Sequence, residues 1–200
     1  MTCIFDIICD DLNIPSPMKK ITLPYYETKK GSALTKEEEK RLVAFCIQNI
    51  ESAASSALLI LLYFGLRKSE LATISVEGEE LTCITSKTRL GKGEVRRTIP
   101  FTPVFKRVLE YVDFEKAKAT NVHTIDSAMK RLFPSRHTHE LRYTFITRAK
   151  ECGVSGEVVM LWDGHTYDRD VKTSVIDRGY TTYSKEFILK EAEKVDYELI

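Results

Sequence analysis

The sequence predicts a mainly α domain with one small antiparallel β-sheet, an α+β arrangement. Three observations predict it. Apolar residues recur at helical spacing behind recognisable caps through most of the chain. The run SALLILLYFGL is apolar on every side, which marks a helix at the centre of a core. A single stretch, EELTCITSKTRLGKGEVRRTIPF, alternates around a glycine-bearing turn and is rich in β-branched residues, the pattern of one hairpin.

Taken in order, residues 1 to 33 hold Pro15, Pro17 and Pro24 and the polar KKGS, and read as a linker or the remnant of a preceding segment. A domain of residues 34 to 200 follows, and the short leader suggests a fragment or an isolated domain. Its first helix starts on a capping box, TKEE, in which the Thr35 hydroxyl caps the amide of Glu38 and the Glu38 carboxylate reaches back. Leu42, Phe45, Cys46 and Ile50 give that helix one buried face. The apolar helix that follows ends at Gly65, which delivers Arg67 to a turn just outside the core. A short helical piece spans Lys68 to Ala72. The hairpin pairs Leu81 to Thr85 with Val95 to Phe101. Thr102 and Pro103 then open a helix over 103 to 117, because a threonine cap and a proline at the first helical position suit a helix start. Further helices are expected over 124 to 132 and 138 to 151, the second stopped by Gly153, then from Ser155 and from Ser184 to Lys194. Trp162, in an apolar stretch, is expected in the core rather than as a stacking platform.

Composition narrows the function classes. With 43% hydrophobic residues in 200, the chain has enough apolar surface for a normal core. Acidic Asp6, Asp10 and Asp11 interrupt the amino terminus, which argues against a secretory signal, and the apolar run from Ala57 to Leu66 is too short to span a bilayer. A cytoplasmic protein without a membrane partner is expected. Five scattered cysteines form no CxxC pair and are expected to be reduced, mostly buried thiols. His137 and His139 stand two apart, the wrong spacing for one metal, and RLGKGEV lacks the spacing of a nucleotide-binding loop. No metal site and no cofactor are expected. The net charge of +1 hides strong segregation. Thr85 to Arg107 carries seven basic residues against Glu94 alone, a net of +6, and Lys130 to Lys150 carries six against Glu140, a net of +5. Ser184 to Ile200 is net −2.

The second basic cluster contains HTHELRYTF. On a helix His139 and Arg142 share a face, and an arginine fork beside helix-terminal amides suits an anion such as phosphate. A surface ion pair with Glu140 would account for Arg142 equally well if the motif stood alone. It does not stand alone. FGLRKSEL, HELR, DGH and a tyrosine in GYTTYSKE occur in the order and approximate spacing of the phage integrase family. From about Leu34 to Lys194 the chain resembles the catalytic domain of a tyrosine recombinase.

That resemblance implies the tyrosine recombinase/integrase catalytic-domain fold and a set of roles. Arg67 matches the first catalytic arginine and Glu70 the acid that supports it. Lys87, on the hairpin, matches the general acid, with Lys92 in the same turn as its rival. His139 and Arg142 match the HxLR motif, and His165 the second histidine. Tyr180 matches the nucleophile, ahead of Tyr183 and Tyr167, although the 14 residues between His165 and Tyr180 are several more than the family usually has. Arg89, Lys92, Arg96 and Arg97, on the arms and turn of the hairpin, are expected to face DNA. The implied reaction is strand transfer on double-stranded DNA through a 3′-phosphotyrosyl bond, for a mobile element. Four protomers would act together, with the carboxy-terminal helix, through Phe187, Ile188 and Leu189, docked on a neighbour or packed in cis. A type IB topoisomerase and a DNA-binding module without catalysis are the competing readings.

Overall fold

A computed structural model describes residues 4–16, 31–86, 94–164 and 183–198. Two compact units emerge, Met1–Lys30 and Gly31–Ile200. Within the first, helix α1 spans Ile4–Asp11. This helix was not expected in a proline-bearing leader; its eight residues lie ahead of all three prolines.

The second unit begins with α2, Lys36–Gln48, on the anticipated capping box: the Glu38 amide donates to Thr35 Oγ1 at 3.1 Å and the Thr35 amide to Glu38 Oε2 at 2.8 Å. Helix α3, Ala53–Phe64, is the hub, with all but its first residue buried. It packs against α2 and against the helices at Phe114–Ala119, Val122–Leu132 and His139–Glu151, and a helix surrounded on all sides has no polar face to spare. Gly65 closes it in the left-handed region at φ 58°. A Cβ there would land on the Phe145 ring. Gly65→Ala is therefore expected to cost at least about 2 kcal/mol, from the left-handed backbone and the overpacking together. Thermal melting beside the wild type checks this, and an unchanged midpoint would contradict it.

A 3-10 helix, Lys68–Thr73, leads into a three-stranded antiparallel sheet in the order β1 (Ser75–Glu77), β2 (Glu80–Ile84), β3 (Arg96–Pro100). The expected hairpin is β2 and β3, with Leu81 opposite Ile99 and Cys83 opposite Arg97. Strand β1, exposed at all three positions, carried no alternation by which to foresee it.

The helix expected over 103 to 117 is broken into α4 (Pro103–Lys106), a 3-10 turn (Leu109–Tyr111) and α5 (Phe114–Ala119). Asp113 explains the break. Its carboxylate caps the Lys116 amide at 2.9 Å, while its own amide donates to Ser56 of α3 at 3.0 Å instead of to an intrahelical carbonyl. Then follow α6 (Val122–Leu132), α7 (His139–Glu151), α8 (Gly156–Asp163) and α9 (Lys185–Glu193). Trp162 is buried in the core beside Phe145. Cys9, Cys46 and Cys83 are free and buried, and Cys152 is free and half-buried. No helix among the described residues is long and apolar enough to cross a membrane.

The last described residues contact the rest of the second unit. Ala192 and Val195 are buried, Val104 donates to the Val195 carbonyl at 3.3 Å, and the Tyr197 hydroxyl donates to Glu39 at 2.6 Å. Phe187 and Ile188 are partly buried against the core, whereas Leu189 is exposed.

Candidate active site

The site is assembled where the end of α3, strands β2 and β3, and helix α7 supply side chains to one place. The left-handed Gly65 turns the chain out of α3, and Arg67 follows in extended conformation just ahead of the 3-10 helix. Glu70, three residues on and fully buried, bends back over that turn: one oxygen accepts the Arg67 amide at 2.8 Å and the other the Arg67 guanidinium at 2.9 Å. The Ser86 amide, just past β2, reaches the same carboxylate at 3.1 Å. Arg97 of β3 grips it with both terminal nitrogens, Nη1 at 3.0 Å and Nη2 at 2.7 Å. Burial alone would raise the Glu70 pKa, but the bonds from Arg97 and the Arg67 amide overcome it and hold the carboxyl at about 2. Glu70 therefore stays an anion across the physiological range.

Helix α7 supplies the other wall. His139, its first residue, is exposed and meets the Tyr143 ring edge-on at 5.4 Å. Together with Arg67 it lines an open cavity of about 360 Å³. Arg142, one turn along, is buried. It donates Nη1 to the Gly65 carbonyl at 2.6 Å and Nη2 to the Asp163 carbonyl at the end of α8. Each of these nitrogens keeps a second hydrogen. Burial, and then the nearby positive charge of Arg67, lower the Arg142 pKa to about 10, with the Asp163 carboxylate opposing. It remains cationic at neutral pH. Among the described residues, Arg67, Arg97 and Arg142 face only Glu70 and Asp163, so the cluster carries a net charge of +1.

The structure thus brings together Arg67, Glu70, His139 and Arg142 from the expected set. Lys87, Arg89, Lys92, His165 and Tyr180 lie outside the described residues, as does Tyr167. Arg96 is exposed, and Glu94 lies 3.9 Å from it. Arg97 departs from expectation. Grouped with the DNA-facing cations, it is instead buried, with both terminal nitrogens committed to Glu70. The signal lay in the strand itself, since alternation along RRTIP puts Arg97 on the inward side with Ile99 and leaves Arg96 and Thr98 outside. The Asp163 carbonyl was missed because backbone acceptors leave no mark in a sequence. Tyr183 is engaged: its hydroxyl donates to Glu157 and its ring stacks on Phe187 at 5.1 Å.

No family model matches the sequence. Two curated relatives, both named tyrosine recombinase, do. One, from Thermosipho africanus, is 26% identical over 173 residues, covering 76% of this chain and 59% of that protein. The other, from Pseudothermotoga lettingae, is 28% identical over 170 residues, covering 76% and 58%. Among solved structures, the Tn1549 transposon integrase in complex with circular intermediate DNA superimposes with a TM-score of 0.55 at 19% identity, over 94% of this chain and 74% of that one. In sequence the chain is similar to these two tyrosine recombinases, and in fold to the transposon integrase. The chain spans about three fifths of the length of these curated recombinases. Against the integrase the likeness is of fold, and in this fold arginines 75 residues apart in sequence, Arg67 and Arg142, come close enough for the charge of Arg67 to lower the pKa of Arg142.

Proposed function

We propose that this chain is the catalytic domain of a site-specific DNA recombinase of a mobile element, which cleaves and rejoins double-stranded DNA through a 3′-phosphotyrosyl intermediate. The observation that carries this reading is the cationic surplus, among the described residues, at Arg67, Arg97 and Arg142, opening at Arg67 and His139 onto one cavity. A phosphodiester is an anion matched to it. As a nucleophile adds to phosphorus, charge gathers on the nonbridging oxygens, and donors already in place stabilise it without reorganising. Arg67, His139, Arg142 and, by resemblance, His165 take that role.

The Tyr180 oxygen attacks phosphorus as its proton passes to a general base, water or the imidazole of His139 or His165, and the cationic surroundings favour the phenolate. The bond from phosphorus to the 5′ oxygen breaks, and Lys87 gives that oxygen a proton. One phosphodiester replaces another, so rejoining by the 5′ hydroxyl needs no added energy source. The engagement of Tyr183 with Glu157 and Phe187 favours Tyr180 as the nucleophile. Four protomers on two sites follow from the resemblance. With Ala192 and Val195 packed in cis, the exposed face around Leu189 is what α9 offers to a neighbour.

Incubation with nicked duplexes from the ends of the parent element, followed by a denaturing gel, tests the reading. Wild type and Tyr183→Phe are expected to form a covalent adduct and Tyr180→Phe none. Loss only in Tyr183→Phe would keep the chemistry and overturn the residue. No adduct with any of the three would overturn the enzyme.

A further inference from the structure

We propose that Arg97 is a positioning residue of the strand-transfer site, holding Glu70, and through it Arg67, in the geometry that meets the phosphate. This rests on the recombinase reading above and assigns Arg97 a role apart from the DNA contact expected of it. Glu70 alone cannot orient Arg67. The Arg67 guanidinium holds only one of the Glu70 oxygens, at 2.9 Å, and the amides of Arg67 and Ser86 hold one oxygen each, at 2.8 and 3.1 Å. Arg97 is the partner that takes both oxygens at once, in a planar fork that fixes the carboxylate plane.

Arg97 is itself pinned on three sides. Its backbone is in the register of β3, opposite Cys83. Nη1 also donates to Thr85 Oγ1 at 3.2 Å, at the end of β2 and two residues before Lys87. On the third side lies Gly164, the residue before His165. A Cβ on Gly164 would stand 2.7 Å from Arg97 Nη1, so the guanidinium occupies space that only glycine leaves. One buried side chain thus joins the turn carrying Arg67, the strand leading to Lys87 and the end of the helix leading to His165. Arg97 touches no reacting atom; it acts through Glu70.

The test compares wild type, Arg97→Gln and Arg97→Lys, with Arg148→Gln as a control that breaks a buried ion pair elsewhere, to Glu39 at 2.8 Å. The first measurement needs no DNA: hydrogen exchange at the Arg67 side chain by nitrogen-15 NMR. In Arg97→Gln it is expected to speed up by about tenfold or more, as for a group released from a protected site. Arg97→Lys, which offers one nitrogen in place of a fork, should fall between. Arg148→Gln should lower the melting temperature and leave Arg67 exchange as it was. The second measurement is adduct formation on the nicked duplexes. Its rate should fall by about 10²-fold in Arg97→Gln, the scale for losing a preorganised donor, and its acid limb should move to higher pH as Glu70 loses its partner. Arg67 exchange as slow as wild type in a folded variant would overturn the proposal. If Arg97→Gln does not fold, Arg97→Lys decides by the same criterion. Wild type without an adduct would overturn the recombinase reading alone, since the exchange measurement still decides what Arg97 does.

Discussion

Glu70→Ala is expected to destabilise the chain by about 3–5 kcal/mol, the scale for removing one partner of a buried ion pair. The Arg97 side chain is only 6% exposed and would be left without an acid, and the Arg67 amide and the Ser86 amide would lose their acceptor as well. For a chain of this size the melting midpoint should fall by roughly 6–20 °C. Glu70→Gln keeps the shape and one acceptor oxygen but not the charge, and should fall between. The sign of the pH dependence follows from the same bonds. The carboxyl is held at about 2 against an ordinary 4.5, so its contribution is fully present above pH 4.5 and is lost as the pH drops towards 2. That difference corresponds to about 3 kcal/mol. Urea unfolding at pH 7 and pH 3 checks it: wild type should lose stability over that interval by more than Glu70→Gln does. Equal losses would mean that Glu70 is not the buried anion described.

Arg142→Ala should abolish adduct formation in practice, with a loss of about 10²–10³-fold from the missing phosphate donor alone. It also strips the donor from two buried acceptors, the Gly65 and Asp163 carbonyls. Each orphaned group costs about 1–3 kcal/mol. Arg142→Lys separates the two effects. It keeps the charge, but a single ammonium on a flexible stem cannot bridge two carbonyls and a phosphate as a planar guanidinium does. Melting should recover in part and adduct formation little. A lysine variant that matched wild type in both would show that the bridge between α3 and α8 plays no part in the chemistry.

Much of this architecture could be read before any coordinates, for a local reason in each case. The Thr35 capping box, the Gly65 stop and the Thr102 cap involve residues within four positions of one another, so their chemistry is complete in the sequence. The uniformly apolar α3 could only be a central helix. His139 and Arg142 share a helix face by their spacing, but the roles of Arg67, His139 and Arg142 were recognisable only because several separated motifs resemble the integrase family in order. Where the expectation failed, a distant partner had intervened. Ser56 captures the Asp113 amide across 57 residues and breaks the helix expected to run to 117. Strand β1 exists because β2 lies beside it, with Ser75 opposite Thr82.

The sequence by itself determined the order of the main helices and the β2–β3 hairpin, the recombinase resemblance and the kinds of side chain available to a phosphate. Only the tertiary structure decided what each arginine does. Arg67, Arg97 and Arg142 are alike as letters. One lines a cavity, one is spent on Glu70 and one bridges two carbonyls, because a guanidinium takes its role from the acceptors that folding brings within about 3 Å, and for Arg97 and Arg142 those acceptors lie from 12 to 77 residues away in the chain.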